Sequence, residues 1–387
     1  MPNSRQNRVP ETKIKPIAER LGADARFTGR GVTIAFLDAG FYGHRDITKP
    51  KNRVKAFHDV LSRAPAPHAL PAPDVSSWHG MMTSVVCCGN GDLSHGKYKG
   101  LAHEAEIVLV KVGSVSRIRH DDITLGIDWV IANRERLGIR VLNVSCGGDY
   151  EASYLWDGLS RAAEAAVRAG IVVVAAAGNA GHDPRHPVVP PASTPAVITV
   201  GGFDDEQGAL DRCVPYHSSY GPTVDGVQKP EIIAPAIRIA APILPGTATA
   251  TQAELLAELT VADDNELHDL IAASPGVDQE LDAAKHLQPY QLRQIIASKR
   301  AGEKVISKHY KEVDGTSFAA PIVASVVAQM LEARPDLTPQ TVKRLLIDSA
   351  VRMPHVPIDR QGWGVVQPKA AVARALEHPQ HEGIRPW

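Results

Sequence analysis

Cysteine is scarce in this chain. Its 387 residues include four, two of them adjacent at Cys87 and Cys88. That is no disulfide framework, and a reducing compartment is the expectation. Charge of one sign is lacking too: Lys and Arg total 42, Asp and Glu 43, for a net charge of −1. The chain therefore has no basic footprint, and no nucleic-acid partner is expected. Apolar residues make up 44% of the sequence but never run unbroken for the roughly 20 residues that span a bilayer, so no membrane partner is expected. Residues 1–21 are polar and contain prolines, without the apolar stretch of a signal peptide. A cytoplasmic location follows as the expectation. The sequon Asn143-Val144-Ser145 falls at the end of an apolar strand and is not expected to carry sugar. No internal repeat is found.

What is present can bury a large core, and a single α/β domain of about 300 residues fits the length. Short β-branched runs occur at residues 32–37, 54–57, 107–112, 140–144, 171–177, 197–201 and 232–234. They alternate with Ala-rich helical stretches at 80–88, 123–136, 154–169, 318–333, 339–349 and 368–376. The nearly continuous apolar character of the runs predicts a parallel sheet covered on both faces. Two segments interrupt the rhythm. Residues 64–73 carry four prolines (Pro65, Pro67, Pro71, Pro73) and read as a stiff loop. Residues 236–314 are far longer than the roughly 12–15 beyond which structureless loops become uncommon. Within them, Thr251-Gln252-Ala253-Glu254 has the pattern of a capping box, and apolar residues recur at helical spacing around Leu267 and Leu292. Residues 246–308 are read as a small helical insertion.

Chemistry enters at four places. Gly315-Thr316-Ser317-Phe318-Ala319-Ala320-Pro321 puts a small-residue turn and a serine in front of an apolar-striped helix, where unpaired N–H groups and partial positive charge gather. Asp38 ends the run 32–37, at the strand edge where ligands bind in open α/β sheets. His79 begins a helix, and Asn179 sits in the glycine-rich turn Ala177-Gly178-Asn179-Ala180-Gly181. Taken singly, these read as a helix cap, a buried aspartate, a core or capping histidine and a turn residue. Taken together they supply the four parts that acyl transfer at a serine needs: nucleophile, base, orienting carboxylate and oxyanion donor.

At these motifs the chain resembles the subtilisin-like serine proteases (subtilases), in the serine motif and in the order Asp, His, Ser. Val141-Leu142-Asn143-Val144-Ser145-Cys146-Gly147-Gly148 is similar to the family's substrate-pairing strand. Gly362-Trp363-Gly364-Val365-Val366 is similar to its closing element. The resemblance implies a three-layer α/β/α fold with a mainly parallel sheet of about seven strands, plus the small helical insertion. It assigns residues 27–378 to the peptidase domain, interrupted by 246–308, with 1–26 as an N-terminal extension and 379–387 as a tail. It implies a serine endopeptidase acting on peptide or protein substrates, with Asp38, His79 and Ser317 as the triad and Asn179 as the oxyanion donor. Ser145, Cys146, Gly147, Ala177 and Gly178 would line the substrate.

Several positions depart from the family pattern. Ala39 replaces Ser or Thr, Val85 replaces a glycine in the histidine helix, and Ala180 replaces an acidic residue, which removes a preference for basic side chains beside the scissile bond. Cys146 in the substrate strand reads first as a small apolar residue, and as a thiol it could make activity thiol-sensitive. No cofactor is required for the chemistry. Relatives often bind calcium, and Asp46, Asn90 and Asp92 are the candidate ligands for a structural ion. The looser set His182, His186, Cys213 and His217 is weighed as a zinc site and set behind a plain loop reading. Like intracellular subtilases, the chain has no domain-sized segment ahead of its first strand to restrain it. The restraint is sought in the insertion 246–308, as a cap on the cleft or a dock for a regulatory protein, or in the tail 1–16. The alternative is a catalytically restrained protease-fold scaffold that binds a partner through the insertion.

Overall fold

The computed structural model describes residues 14–62, 70, 72–114, 117–206 and 212–379. The proline-rich segment falls largely outside them, as do half of the N-terminal extension and nearly all of the tail. Seven parallel strands form the central sheet: β1 (Thr33–Asp38), β2 (Val54–Asp59), β3 (Glu106–Lys111), β4 (Ile139–Val144), β5 (Val172–Ala176), β6 (Ile198–Asp204) and β7 (Ile232–Pro235). Their order across the sheet is β7-β6-β5-β4-β1-β3-β2, and Val214–Pro215 adds an antiparallel eighth strand against β6.

Alternating side chains feed two cores. Ile34 and Phe36 of β1 pack with Met81 and Val85 of helix Ser77–Cys88 and with Ile322, Val323 and Val326 of helix Thr316–Ala333. Ala35 and Leu37 face the other side, with Ile123 and Ile127 of helix His120–Leu137 and Leu159 and Ala163 of helix Gly158–Arg168. The sheet is therefore the middle of three layers, as its unbroken apolar strands predicted. Helix Thr316–Ala333 is long and apolar enough to cross a bilayer by composition alone, yet 83% of it is buried inside the protein. It is the core helix of this fold.

The chain lays β2 and β3 to one side of β1 and then β4 to the other. The strand order switches between β1 and β4, and the ground beyond the carboxyl ends of these strands is where open α/β sheets bind ligands. Asp38 ends β1, Ser145 follows β4 and Ala177 follows β5. The topology alone thus gathers the sites picked from sequence at one edge.

The insertion contains four helices, Ala248–Val261, Leu267–Ala273, Gln279–Ala284 and Pro289–Gly302, around a core of its own that includes Leu255, Leu256, Leu259, Leu267, Leu292 and Ile296. Its first helix starts a turn earlier than the Thr251 capping pattern suggested. The Thr247 hydroxyl accepts from Ala250 N at 3.2 Å, because the alanines at 248 and 250 extend the helix. Its last residues are not helical. Lys304 has a left-handed φ of 56°, and the β-branched Val305–Ser307 joins a three-stranded antiparallel ribbon with Tyr310–Val313 and Ile239–Pro242. The helix expected from 154 begins at Gly158, where Asp157 caps it by accepting from Ser160 N at 2.7 Å.

Candidate active site

Asp38 is 1% exposed, and both its carboxylate oxygens lie within hydrogen-bond distance of His79 Nδ1, at 2.9 and 2.8 Å. Ala39 N donates to Oδ1 at 2.8 Å, and the Thr83 hydroxyl reaches Oδ2 at 3.4 Å. The helix can bring His79 this close because residue 80 is glycine. A Cβ there would sit 2.2 Å from the Gly40 carbonyl and 2.9 Å from Asp38 Cβ. Val85 is buried in the core beneath without moving the histidine off the aspartate. Burial works against a charged His79, but the Asp38 carboxylate and its hydrogen bond outweigh it, so the imidazole titrates above its ordinary value. With Nδ1–H held by the carboxylate, Nε2 is left as the basic nitrogen.

Ser317 is half-buried in the first turn of helix Thr316–Ala333. Its backbone N–H is one of the donors that have no partner within a helix start. Its hydroxyl donates to the Ser145 carbonyl at 3.2 Å, and the Ser145 hydroxyl returns a bond to the Ser317 carbonyl at 3.0 Å. The His79 ring lies 5.7 Å from the ring of Phe318, the next residue. Resting hydroxyl geometry of this kind tightens only when substrate is bound.

Asn179 is exposed on its turn. Its Oδ1 accepts from both the backbone N–H and the hydroxyl of Thr316, each at 3.0 Å. A backbone N–H must meet an oxygen, so these bonds orient the amide. Its NH₂ makes no hydrogen bond among the described residues and lies 3.8 Å from where a side chain on Gly315 would begin. Gly178, at φ +100°, hydrogen-bonds Thr316 Oγ1 through its N–H at 3.3 Å. Ala177 is buried and donates to Val200 O at 2.9 Å. Thr316 was read only as part of a serine turn, and its hold on Asn179 needed the fold. Gly147 packs so closely on Val189 that a Cβ would lie 2.8 Å from its Cγ2.

Three minor readings of the sequence meet the geometry as follows. The half-buried Cys146 fits its reading as a small apolar residue: loss of solvation first, and the nearby Asp38 charge second, push its thiol well above the ordinary range. Asp46, Asn90 and Asp92 do not fit a calcium ion. Asp46 is fully buried and accepts from the Tyr310 hydroxyl and from Leu93 N, Asn90 Oδ1 accepts from Asp92 N, and Arg45 binds the Asp92 carboxylate at 2.9 Å. Protein donors, one of them a cation, fill the places a calcium ion would take. His182, His186, Cys213 and His217 do not converge either. His182 stacks on His217 at 4.6 Å and His186 on Tyr220 at 3.5 Å, and among the described residues no three His, Cys, Asp or Glu side chains form a metal-holding group.

The Asp46 network makes a stability prediction. Tyr310→Phe leaves a buried carboxylate short of a donor and lowers unfolding stability by about 1–3 kcal/mol. EDTA leaves the wild-type Tm where it is. Thermal unfolding with EDTA and with added calcium checks both, and a Tm that rises with calcium would sink the reading.

An imidazole held on a buried carboxylate, a serine at a helix start and an amide turned outward beside it, all at the switch point of a parallel sheet, define a serine-hydrolase class of site. The sequence profile described as the subtilase family matches residues 29–364. The chain is 31% identical over 357 residues to the serine protease AprX of Bacillus subtilis, across 89% of this chain and 67% of that protein. A shorter match, 37% over 137 residues, links it to the subtilisin-like proteinase Mp1 of Magnaporthiopsis poae, over 34% of this chain and 31% of the other. Among solved structures, fervidolysin from Fervidobacterium pennivorans superposes with TM-score 0.63 at 23% identity, covering 94% of this chain and 45% of that one. A Pseudoalteromonas arctica protease gives 0.61 at 21%, covering 93% of each. The chain belongs to the subtilase family: it is a subtilisin-like serine protease.

Proposed function

We propose that the chain is an endopeptidase that hydrolyses peptide bonds through an acyl-enzyme on Ser317. The observation that carries this is the buried Asp38 carboxylate 2.8 Å from His79 Nδ1, because it leaves Nε2 as the base. In this reading Nε2 takes the Ser317 proton as Oγ attacks the scissile carbonyl. The resulting imidazolium is stabilised by Asp38, and the oxyanion is received by Asn179 Nδ2 and the Ser317 N–H. His79 then protonates the leaving amine, and water attacks the ester by the same route in reverse. Residues 145–147 accept the peptide as an added strand. Subtilase chemistry needs no cofactor.

A fluorophosphonate probe tests the reading. Folded wild-type protein is expected to take the label and to cleave casein or a peptide. A folded protein that takes no label would favour the second reading, a restrained scaffold. The observation behind that alternative is the Ser317 hydroxyl resting on Ser145 rather than on His79.

The insertion 246–308 is proposed to govern access to the cleft or to dock a regulatory protein. Its approach is from the flank: Tyr310, in the ribbon that carries the insertion, bonds Asp46 and packs edge-on against His44 at 6.5 Å. Deleting 250–305 with a short linker is expected to raise kcat/KM on a large protein substrate more than on a small peptide, as measured by paired assays. An unchanged ratio counts against the assignment.

A further inference from the structure

The nucleophile turn is tied to the helical insertion by a carboxylate that the triad does not use. Asp314 stands shortly before Ser317 and immediately before Gly315. Its Oδ1 accepts from Arg238 N at 2.8 Å. Its Oδ2 is bound by the ammonium of Lys304, which belongs to the insertion. The main chain runs alongside this pair. Gly315 N donates to Ala236 O and Glu312 N donates to Lys304 O, each at 2.8 Å.

Both partners of Asp314 sit in a backbone conformation that side chains disfavour. Among the described residues five non-glycine residues have a left-handed φ, and two of them are Lys304 at 56° and Arg238 at 52°. Such residues cost free energy and persist only where their surroundings hold them. Arg238 is held through its carbonyl, which accepts from Arg20 Nη1 at 2.9 Å, and through its guanidinium, 2.9 Å from Asp204 Oδ1. Lys304 follows the last insertion helix at the place where the left-handed residue is usually glycine. A lysine there is a worse helix stop, and what it adds is the ammonium on Asp314. The pair fixes the residue ahead of Gly315, at φ +139°, and Gly315 leads to Thr316, which holds Asn179, and to Ser317.

We propose that Lys304 and Asp314 form a latch through which the insertion sets the nucleophile turn. Asp314 is a positioning residue for Ser317 and for the amide of Asn179, and a movement of the insertion acts on kcat as well as on access to the cleft. The proposal rests on the endopeptidase reading and names the route by which the insertion reaches the site.

Kinetics on a small chromogenic peptide test it, because such a substrate needs little room past the insertion. The two side chains are 45% and 25% exposed, so the pair is a partly solvated one of modest strength. Lys304→Gln removes the charge and is expected to lower kcat about fivefold, with KM changed less than about twofold. Lys304→Arg recovers most of the loss. Asp314→Asn keeps an acceptor for Arg238 N and falls as far as Lys304→Gln, and the double variant falls no further, since both changes break one pair. Salt gives a readout that a merely structural role would not move. At about 1 M NaCl, where the Debye length is about 3 Å, wild-type kcat falls toward the variant value and Lys304→Gln stays where it is. Additive losses in the double variant, a change confined to KM, or an unmoved kcat in folded variants would overturn the proposal. If a variant does not fold, the fluorophosphonate labelling rate of wild type decides: it falls with salt if the latch holds and stays level if it does not. Wild type that takes no label sinks the endopeptidase reading and the latch together, whereas labelled wild type with kcat unmoved in Lys304→Gln sinks only the latch.

Discussion

Replacing Ser317 by alanine is expected to lower kcat by about a million-fold, to abolish fluorophosphonate labelling, and to leave the fold intact. The size follows from the parts acting as a unit. Without Oγ the His79–Asp38 pair has no proton to accept, and only the oxyanion donors and substrate binding remain. A loss of this order was measured in subtilisin, a member of the same family, when its serine was removed. The structure explains why stability should hardly move. The Ser317 hydroxyl makes one hydrogen bond, to the Ser145 carbonyl, and the reciprocal bond from Ser145 goes to the Ser317 backbone and survives. The expected cost is at most about 1 kcal/mol. Kinetics on a chromogenic peptide, paired with a thermal melt, separate the two effects. Residual activity above a hundredth of wild type, in protein with an unchanged melt, would remove Ser317 from the role of nucleophile.

The central sheet was legible because its strands are buried on both faces. Runs such as 32–37 and 140–144 need no partner information to be recognised as interior strands, and the observed limits move by a residue or so. Asp38, His79, Asn179 and Ser317 were legible for a different reason. Each sits in a compact motif whose neighbours (Gly80, Gly178, Gly315) record how closely the backbone must approach. What sequence did not carry was contact across long separations. Asp46 drew a calcium assignment because carboxylates near a glycine-rich loop suit a cation, and the group that fills the site is Tyr310, 264 residues away. Thr316 looked like a helix cap until its two bonds to Asn179 were visible. The ribbon at 305–307 was hidden because three residues of strand leave too short a pattern beside strong helical periodicity. Cys146 was left between a small apolar residue and a sensitive thiol because a thiol's surroundings cannot be seen in a sequence.

Asp38→Asn is expected to lower kcat by about ten-thousand-fold with KM little changed, and the surroundings of the carboxylate say why. Ala39 N is a fixed donor 2.8 Å from Oδ1. It would hold the oxygen of the new amide there and turn the NH₂ toward the Oδ2 position, 2.8 Å from His79 Nδ1. A donor in that place forces Nδ1 to accept, so the proton moves to Nε2, and Nε2 can no longer take one from Ser317. The corresponding substitution in another triad protease costs a factor of this order through the same wrong tautomer. The change also has a signature in pH. In wild type, Asp38 raises the His79 value above the ordinary 6.5 despite burial, so kcat/KM should fall as pH drops through a midpoint above 6.5. Without the carboxylate, burial acts alone and favours the neutral ring, which moves the acid limb of the residual activity to lower pH. Stability changes with the opposite sense. A histidine whose folded value is raised stabilises the fold in acid, below its unfolded value, and that contribution fades as pH rises through the folded one. Asp38→Asn should therefore lose stability relative to wild type at pH 5 more than at pH 8. A pH–rate profile and melts at the two pH values check this. A variant whose acid limb stays at the wild-type midpoint would show that Asp38 does not set the charge of His79.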